Sequence, residues 1–410
     1  MSELSFIPGG VTAAKGFSAA GEHLGVRKSH VRKDVALIVS DGPAAAAACY
    51  TQNLVKGAPL AVTQRHIANG SARAIVCNSG NANTCNANGV EIAEGMSALV
   101  AQYTDVAAED VIVASTGVIG QPMTLEPFTM GMEKLAKALA ATPEGGTAAA
   151  QAIMTTDQVA KEVAVAFTLG GKRCALGGIS KGSGMICPNM ATMLCFLTTD
   201  AAVAPAVLQA ALSDVVKDTF NMLSIDGDTS TNDMVCVLAN GKAGNPPVQE
   251  ASGADYQALK AALKAVCAKL CRIMAKDGEG ATKLLTCQVE GGKDEATAKT
   301  VAKAVIKSTL LKAAIFGADA NWGRVLCAIG YSGADVDVTT VDVDFESALG
   351  VLPVCRNGAG VPFDEGTAKA LLSKDEITVK VNLNAGVGTA EAWGCDLTYD
   401  YVKINGDYRT

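Results

Sequence analysis

Short apolar runs alternate along this chain with longer segments whose apolar residues recur at helical spacing. Runs at 35–39, 74–77, 111–114, 163–167, 174–179, 193–197, 235–238, 284–289, 336–343 and 377–383 are rich in Val, Ile and Leu and predict strands. Segments 91–102, 127–140, 205–222, 256–274 and 295–307 predict amphipathic helices. Pro205 suits a first helical turn, where its missing N–H has no intrahelical acceptor. Alanine propensity makes 44–49 a helix, but its shortness and the Tyr50-Thr51 that follows favour a buried strand. Gly and Asn cluster at 79–89 and 239–247, predicting a long turn and a surface loop. Alternation of this kind, with no internal repeat, predicts a layered α/β protein.

Composition narrows the picture. Of 410 residues 49% are hydrophobic but only 4% aromatic, so Ala, Val, Leu and Ile must build the interior. A chain this long removes roughly three quarters of its unfolded surface from water and suggests two or three domains. No apolar run reaches membrane-spanning length, and the expectation is a soluble protein with no membrane partner. Net charge is −7 with Lys and Arg scattered, which argues against nucleic acid or anionic lipid as a partner. The basic run V-R-K-S-H-V-R-K at 26–33 is the exception and reads as a solvated loop. The first residues show no targeting pattern. Thirteen dispersed cysteines, several in apolar runs (Cys77, Cys174, Cys236, Cys327), read as reduced and buried in a cytosolic protein. The three histidines have no metal-ligand spacing.

The stretch with most chemical content is K-G-S-G-M-I-C-P-N-M-A-T-M-L at 181–194. A threonine becomes a nucleophile when a base takes its hydroxyl proton, and an N-terminal threonine carries that base as its own α-amine. Thr192 reaches this state only if the Ala191–Thr192 bond is cut. Taken alone, the run reads first as a Gly-rich turn before a buried strand. The run D-G-D-T-S-T-N-D at 226–233 imitates a calcium loop, but Thr231 occupies the sixth position and Val237 the twelfth. No metal is assigned, and the run reads as a loop held by side-chain-to-backbone bonds.

The 181–194 run resembles the autocleavage segment of the glutamate/ornithine N-acetyltransferase family. So do A-S-T-G-V-I-G at 114–120, M-T-T-D at 154–157, the 226–233 run, K-D-G-E-G-A-T-K at 276–283 and Y-V-K-I-N-G-D-Y-R-T at 401–410. The resemblance covers nearly the whole chain, in order. It implies a four-layer α-β-β-α sandwich with mixed sheets and a smaller α/β lobe around 285–375. Self-cleavage would give an α chain of residues 1–191 and a β chain of 192–410. Thr192 is then the nucleophile, with Thr116 and Gly117 as the oxyanion hole, although Ser115 is a competing donor. Thr155 (with Thr156 beside it), Lys181, Glu279, Asn405 and Thr410 would join Thr192 in binding substrate. Two departures stand out: Gln158-Val159-Ala160 where a proline is common, and Ala320 in the scaffold-like segment 316–324.

The implied activity moves acetyl from N-acetylornithine to glutamate through acetyl-Thr192, by ping-pong kinetics, with no metal or organic cofactor. Use of acetyl-CoA as a further donor stays open. The implied assembly is a cytoplasmic heterotetramer of two α and two β chains. A rival reading is an N-terminal-nucleophile amidase or aminopeptidase on a similar scaffold. A second is a non-catalytic assembly protein.

Overall fold

The structure is a computed structural model that describes residues 4–28, 31–187 and 193–407. Ala191, Thr192 and Thr410 lie outside the described residues. The chain divides into two compact units. The first comprises Met1–Gly182, Asn189–Lys217 and Thr229–Leu270; the second comprises Ser183–Pro188, Asp218–Asp228 and Cys271–Thr410.

The first unit is built on a nine-stranded mixed sheet. Its order is Ser5–Ile7, Lys161–Leu169, Lys172–Lys181, Leu194–Thr199, Met234–Ala239, Val35–Tyr50, Ser71–Asn78 and Val111–Ser115, with Phe17–Glu22 also paired to Val35–Tyr50. Period-two alternation sorts the side chains of the long strand. Val35, Leu37 and Val39 join a core of Val111, Val113, Met96, Phe128, Met132 and Leu135 under the helices Gly89–Tyr103 and Glu126–Lys137. Ala36, Ile38, Ala46 and Ala48 face a second core with Phe196, Cys236, Ala149 and Ala152. The Ala44–Cys49 ambiguity resolves as strand, because these residues form the second half of Val35–Tyr50 and pair with Met234–Ala239. Pairing partners on both sides decide against local helix propensity. Pairing with Ser71–Asn78 shifts register between Val39 and Ala44, an irregularity that lets the sixteen-residue strand bend.

The second unit carries a seven-stranded mixed sheet in the order Ala359–Gly360, Gly350–Arg356, Asp342–Ser347, Glu376–Asn382, Leu284–Gly292, Gly388–Cys395 and Leu223–Ser224. Helix Glu295–Lys307 covers it with Ala298, Val301, Ala302, Val305 and Ile306, the i, i+3, i+4, i+7, i+8 stripe. The strand expected at 336–343 is instead a 3-10 turn at Val338–Thr340 followed by the strand Asp342–Ser347. Asp337 causes the turn, because its Oδ1 accepts from the N–H and hydroxyl of Thr339.

The α/β class with mixed sheets is as expected, and eleven α-helices are present among the described residues. All thirteen cysteines are free thiols, but Cys85 is exposed rather than buried, and so is Cys327 from the apolar runs. Cys327 lies on the outer face of helix Trp322–Gly330, where Val325, Ala328 and Ile329 form the buried stripe. The basic run at 26–33 is not a purely solvated loop. Arg27 donates from Nε to the Ser79 carbonyl at 2.8 Å and from its Nη2 to the Met154 carbonyl, while Arg32 donates to Thr155 O at 2.9 Å. No helix among the described residues is long and apolar enough to cross a membrane.

Helix Pro143–Ala152 approaches strand Phe17–Glu22 so closely that a methyl group on Gly21 would land on the Ala148 carbonyl oxygen. A Gly21→Ala variant must push helix from strand. Overpacking of this kind costs about 1–3 kcal/mol. The melting temperature is expected to fall by roughly 1–4 °C, read by thermal denaturation, with secondary-structure content unchanged at 20 °C.

Candidate active site

In the first unit the strand Lys172–Lys181 ends on the residue that opens the 181–194 run. Lys181 is the register partner of Leu194, first residue of the strand Leu194–Thr199. The two flanks of that run are therefore neighbours in one antiparallel pair. Met234 N donates to Met193 O at 3.0 Å, continuing the tie toward the next strand.

Beneath Lys181 lies Asp157, from the M-T-T-D motif, 1% exposed. Its Oδ1 accepts from Lys161 Nζ at 2.6 Å and from the Gly182 N–H at 2.7 Å. Its Oδ2 accepts from the Thr155 N–H at 2.9 Å and from the Thr155 hydroxyl at 3.5 Å. Burial alone would raise the pKa of this carboxyl, but the charges of Lys181 and Lys161 and the bonds from Lys161 and Gly182 outweigh it. The carboxyl is held well below the usual carboxylate range. Asp157 thus brings Thr155 and Gly182 to the two sides of one carboxylate, beside Lys181. Lys181 itself is buried at a strand end, not a solvated loop charge. Burial pulls its ammonium below the ordinary lysine value, against the attraction of Asp157 and Asp233.

Thr116 and Gly117 leave the strand Val111–Ser115 at its C-terminal end. Gly117 has φ 123°, and a Cβ there would lie 2.8 Å from the Gly80 carbonyl carbon, so only glycine fits this turn. The Asn78 side chain builds the support: its oxygen accepts from Gly80 N and Asn81 N, and its amide donates to Ser115 Oγ at 2.6 Å. Ser115 is buried and its Oγ accepts from Asn78, while Thr116 and Gly117 beyond it are half-buried. Asn232 donates to Ser115 O at 3.0 Å and to Ala82 O at 2.5 Å. One amide therefore ties the end of that strand to the run that leads into Met234.

The second unit holds Glu279 and Asn405 together. The Glu279 N–H donates to Ser183 O at 2.8 Å, and its Oε2 accepts from Asn405 Nδ2 at 2.8 Å. Helix Tyr399–Asp407 supplies Asn405 and is anchored at its start, where the Tyr399 ring meets Phe316 edge-on at 5.6 Å. Tyr401 donates its hydroxyl to Asp226 Oδ2 at 3.3 Å, and burial and Asp226 together push the phenol up. Asp226 also accepts from Met185 N at 2.6 Å and Ile186 N at 2.8 Å, so it fixes the first part of the 181–194 run.

Asp157, Lys161, Arg27, Asn78 and Asn232 were not singled out as site residues by the sequence reading. The available signal was a lysine, Lys161, opening an apolar strand (K-E-V-A-V-A-F) four residues after an aspartate.

Asp157→Asn keeps the shape of the side chain and removes the carboxylate charge that the fully buried Lys161 meets at 2.6 Å. Breaking a buried pair costs about 3–5 kcal/mol. Because the folded-state value of Asp157 is depressed, its contribution is present above the ordinary carboxylate value of about 3.9 and is lost as pH falls through it and below. Urea denaturation should therefore show the variant far weaker than wild type at pH 7, with the gap closing below about pH 4. A constant gap across that range would count against the ion pair.

A family model described as the ArgJ family matches residues 18–410. The chain is 50% identical over 409 residues to the arginine biosynthesis bifunctional protein ArgJ of Symbiobacterium thermophilum, covering 99% of this chain and 100% of that protein. It is 48% identical over 408 residues to the protein of the same name from Caldanaerobacter subterraneus subsp. tengcongensis, again covering 99% and 100%. Among solved structures, an ornithine acetyltransferase of Mycobacterium tuberculosis complexed with ornithine matches at 35% identity with a TM-score of 0.42, covering 46% of this chain and 100% of that one.

Proposed function

The chain belongs to the ArgJ family, and from that premise we propose that it moves an acetyl group from N-acetylornithine to glutamate through Thr192. The chain matures by cleavage before Thr192, whose freed α-amine then serves as general base. Thr192 Oγ attacks the acetyl carbonyl, the oxyanion is met by the Thr116 hydroxyl and Gly117 N–H, and ornithine leaves with its nitrogen protonated. Glutamate attacks the acetyl ester next and leaves as N-acetylglutamate, restoring the hydroxyl. No metal or organic cofactor is needed for either half-reaction.

The observation that carries this reading is the placement of Lys181. It is a buried cation at the head of the cleavage run, paired in register with Leu194, two residues beyond the nucleophile. A buried ammonium favours an anionic ligand, and we assign it the substrate carboxylate, with Thr155 alongside. Glu279, steadied by Asn405, is assigned the substrate ammonium, and we assign Asn405 and Thr410 as further polar ligands on the strength of the resemblance at 401–410. The relatives' name contains the word bifunctional; acetyl-CoA as a second donor would give this chain the same description. The proposed assembly is two α and two β chains in the cytoplasm.

Intact-mass analysis of the purified protein should find chains of 191 and 219 residues, since 410 − 191 = 219, and N-terminal sequencing of the larger should begin T-M-L-C-F. Thr192→Ala should remain one inactive 41.7 kDa chain. A wild type that stays uncut yet transfers acetyl groups would overturn the mechanism.

Kinetics test the second half of the proposal. Acetylornithine and glutamate varied together should give parallel double-reciprocal lines, and labelled ornithine should exchange into acetylornithine without glutamate. Glu279→Ala should raise KM for acetylornithine about tenfold or more, the loss of one charge-assisted contact. Wild-type constants would remove Glu279 from the substrate, and ornithine release without acetylglutamate would mark a hydrolase.

A further inference from the structure

In the second unit the carboxylate of Glu279 lies directly over Gly184. A methyl group on Gly184 would land on the Glu279 carboxyl carbon and both of its oxygens, the three atoms nearest to that position. Gly184 does not have a left-handed φ, so its backbone admits an alanine, and the carboxylate is what that alanine would meet first. Two bonds hold Glu279 in this seat. Its N–H donates to Ser183 O at 2.8 Å, and its Oε2 accepts from Asn405 Nδ2 at 2.8 Å. The bare α-carbon of Gly184 is the floor of the seat.

That floor is fixed in turn. Met185 has φ 54°, a left-handed conformation that is strained for a non-glycine residue and persists only where its surroundings impose it. Asp226 imposes it. Its Oδ2 accepts from Met185 N at 2.6 Å and its Oδ1 from Ile186 N at 2.8 Å, while Ile225 N donates to Ile186 O at 2.7 Å. Tyr401 donates its hydroxyl to Asp226 Oδ2 at 3.3 Å. Asn405, one turn further along the same helix, also donates to Tyr401 O at 3.1 Å. These bonds close a ring that runs from Glu279 through 183–186, Asp226, Tyr401 and Asn405 back to Glu279, with every member in the second unit. One helix thus grips the carboxylate through Asn405 and its floor through Tyr401.

We propose that Gly184 is a specificity-determining position, whose missing side chain sets how far the Glu279 carboxylate reaches and so which length of diamino-acid side chain presents its ammonium to it. Asp226 and Tyr401 are positioning residues that keep Gly184 under Glu279. This rests on the assignment of Glu279 to the substrate ammonium above. A carboxylate tells apart two ammonium groups that differ by one methylene only if it cannot follow them. A free glutamate side chain rotates and follows; one seated on a glycine and tied to Asn405 does not. Misplacement of a positioned group by about 1 Å costs on the order of 100-fold in rate. Alanine at position 184 must displace the carboxylate, and the best-fitting side-chain length changes with it.

The test is kcat/KM for N-acetylornithine and for its acetylated homologues one methylene shorter and longer, acetyldiaminobutyrate and acetyllysine. It is measured in wild type, Gly184→Ala, Glu279→Ala and the double variant. Gly184→Ala should lower the preference for acetylornithine over the better homologue about tenfold or more. Its melting temperature should stay near that of wild type, because the far end of a flexible side chain gives way. Adding Gly184→Ala to Glu279→Ala should change nothing further, since the glycine acts through that carboxylate. Additive losses shared equally by every substrate would mark a merely structural glycine and overturn the proposal. Should Gly184→Ala fail to fold or mature, Tyr401→Phe, outside the 181–194 run, carries the test. It should raise KM for acetylornithine about threefold or more, and not in the Glu279→Ala background. Wild-type preference in Gly184→Ala, or an unchanged KM in Tyr401→Phe where that variant stands in, overturns the proposal while an impaired Glu279→Ala leaves the Glu279 assignment standing. Wild-type constants in Glu279→Ala overturn that assignment and the proposal with it.

Discussion

The carboxylate of Asp157 is the contact on which the buried cluster around Lys181 in the first unit depends. Thr155 and Gly182 both lie in irregular segments, one after the helix Pro143–Ala152 and the other after the strand Lys172–Lys181, and neither has a ladder to hold it. Asp157 stands in for that ladder by accepting from both backbone N–H groups. A buried carboxylate is costly to desolvate. It persists ionised here because Lys161 and Lys181 bring compensating charge. The arrangement is rigid for the same reason: moving any donor exposes the remaining charge to an apolar interior.

Carboxyls elsewhere show how placement sets protonation. Asp157 and Asp233 are both buried in the first unit, and Lys181 acts on both, yet one is driven down and the other up. The difference is donor supply: Asp157 takes the Lys161 ammonium directly, whereas Asp233 Oδ2 is buried with no hydrogen-bond partner among the described residues. In the second unit Asp226 is used differently again, as a cap for the N–H groups of Met185 and Ile186 and a partner for Tyr401. The 226–233 run, which resembles a cation loop in sequence, therefore spends its polar groups on backbone.

Much of this was legible in the sequence because it was local. Strand and helix runs carry strong periodicity, and the shortness of the alanine run 44–49, with Tyr50-Thr51 after it, favours the strand that the fold contains. What stayed hidden depended on pairing or on distant partners. A 3-10 turn displaced the strand expected at 336–343 because a single Asp337 side chain satisfied two donors of Thr339. Arg27 looked like a surface charge, since nothing in a basic run announces that a guanidinium will find the carbonyls of Ser79 and Met154. Glu279 and Asn405 were each named through a motif, but their hydrogen bond spans 126 positions and appears only in the fold.

The strand order of the first sheet has a further consequence. Leu194–Thr199 and Met234–Ala239 lie side by side, flanked on one edge by Lys172–Lys181 and on the other by Val35–Tyr50. A cut before Thr192 assigns the inner two to one chain and both flanking strands to the other. The smaller product would then grip the larger from either side, through ladders formed while both were one polypeptide. Separation would require unzipping two ladders at once, and reassembly would require an open gap of two strands to be filled from solution. Folding and cutting would then have a compulsory order, and the finished pair would be a product of history: its two chains would hold together for far longer than they would take to find each other.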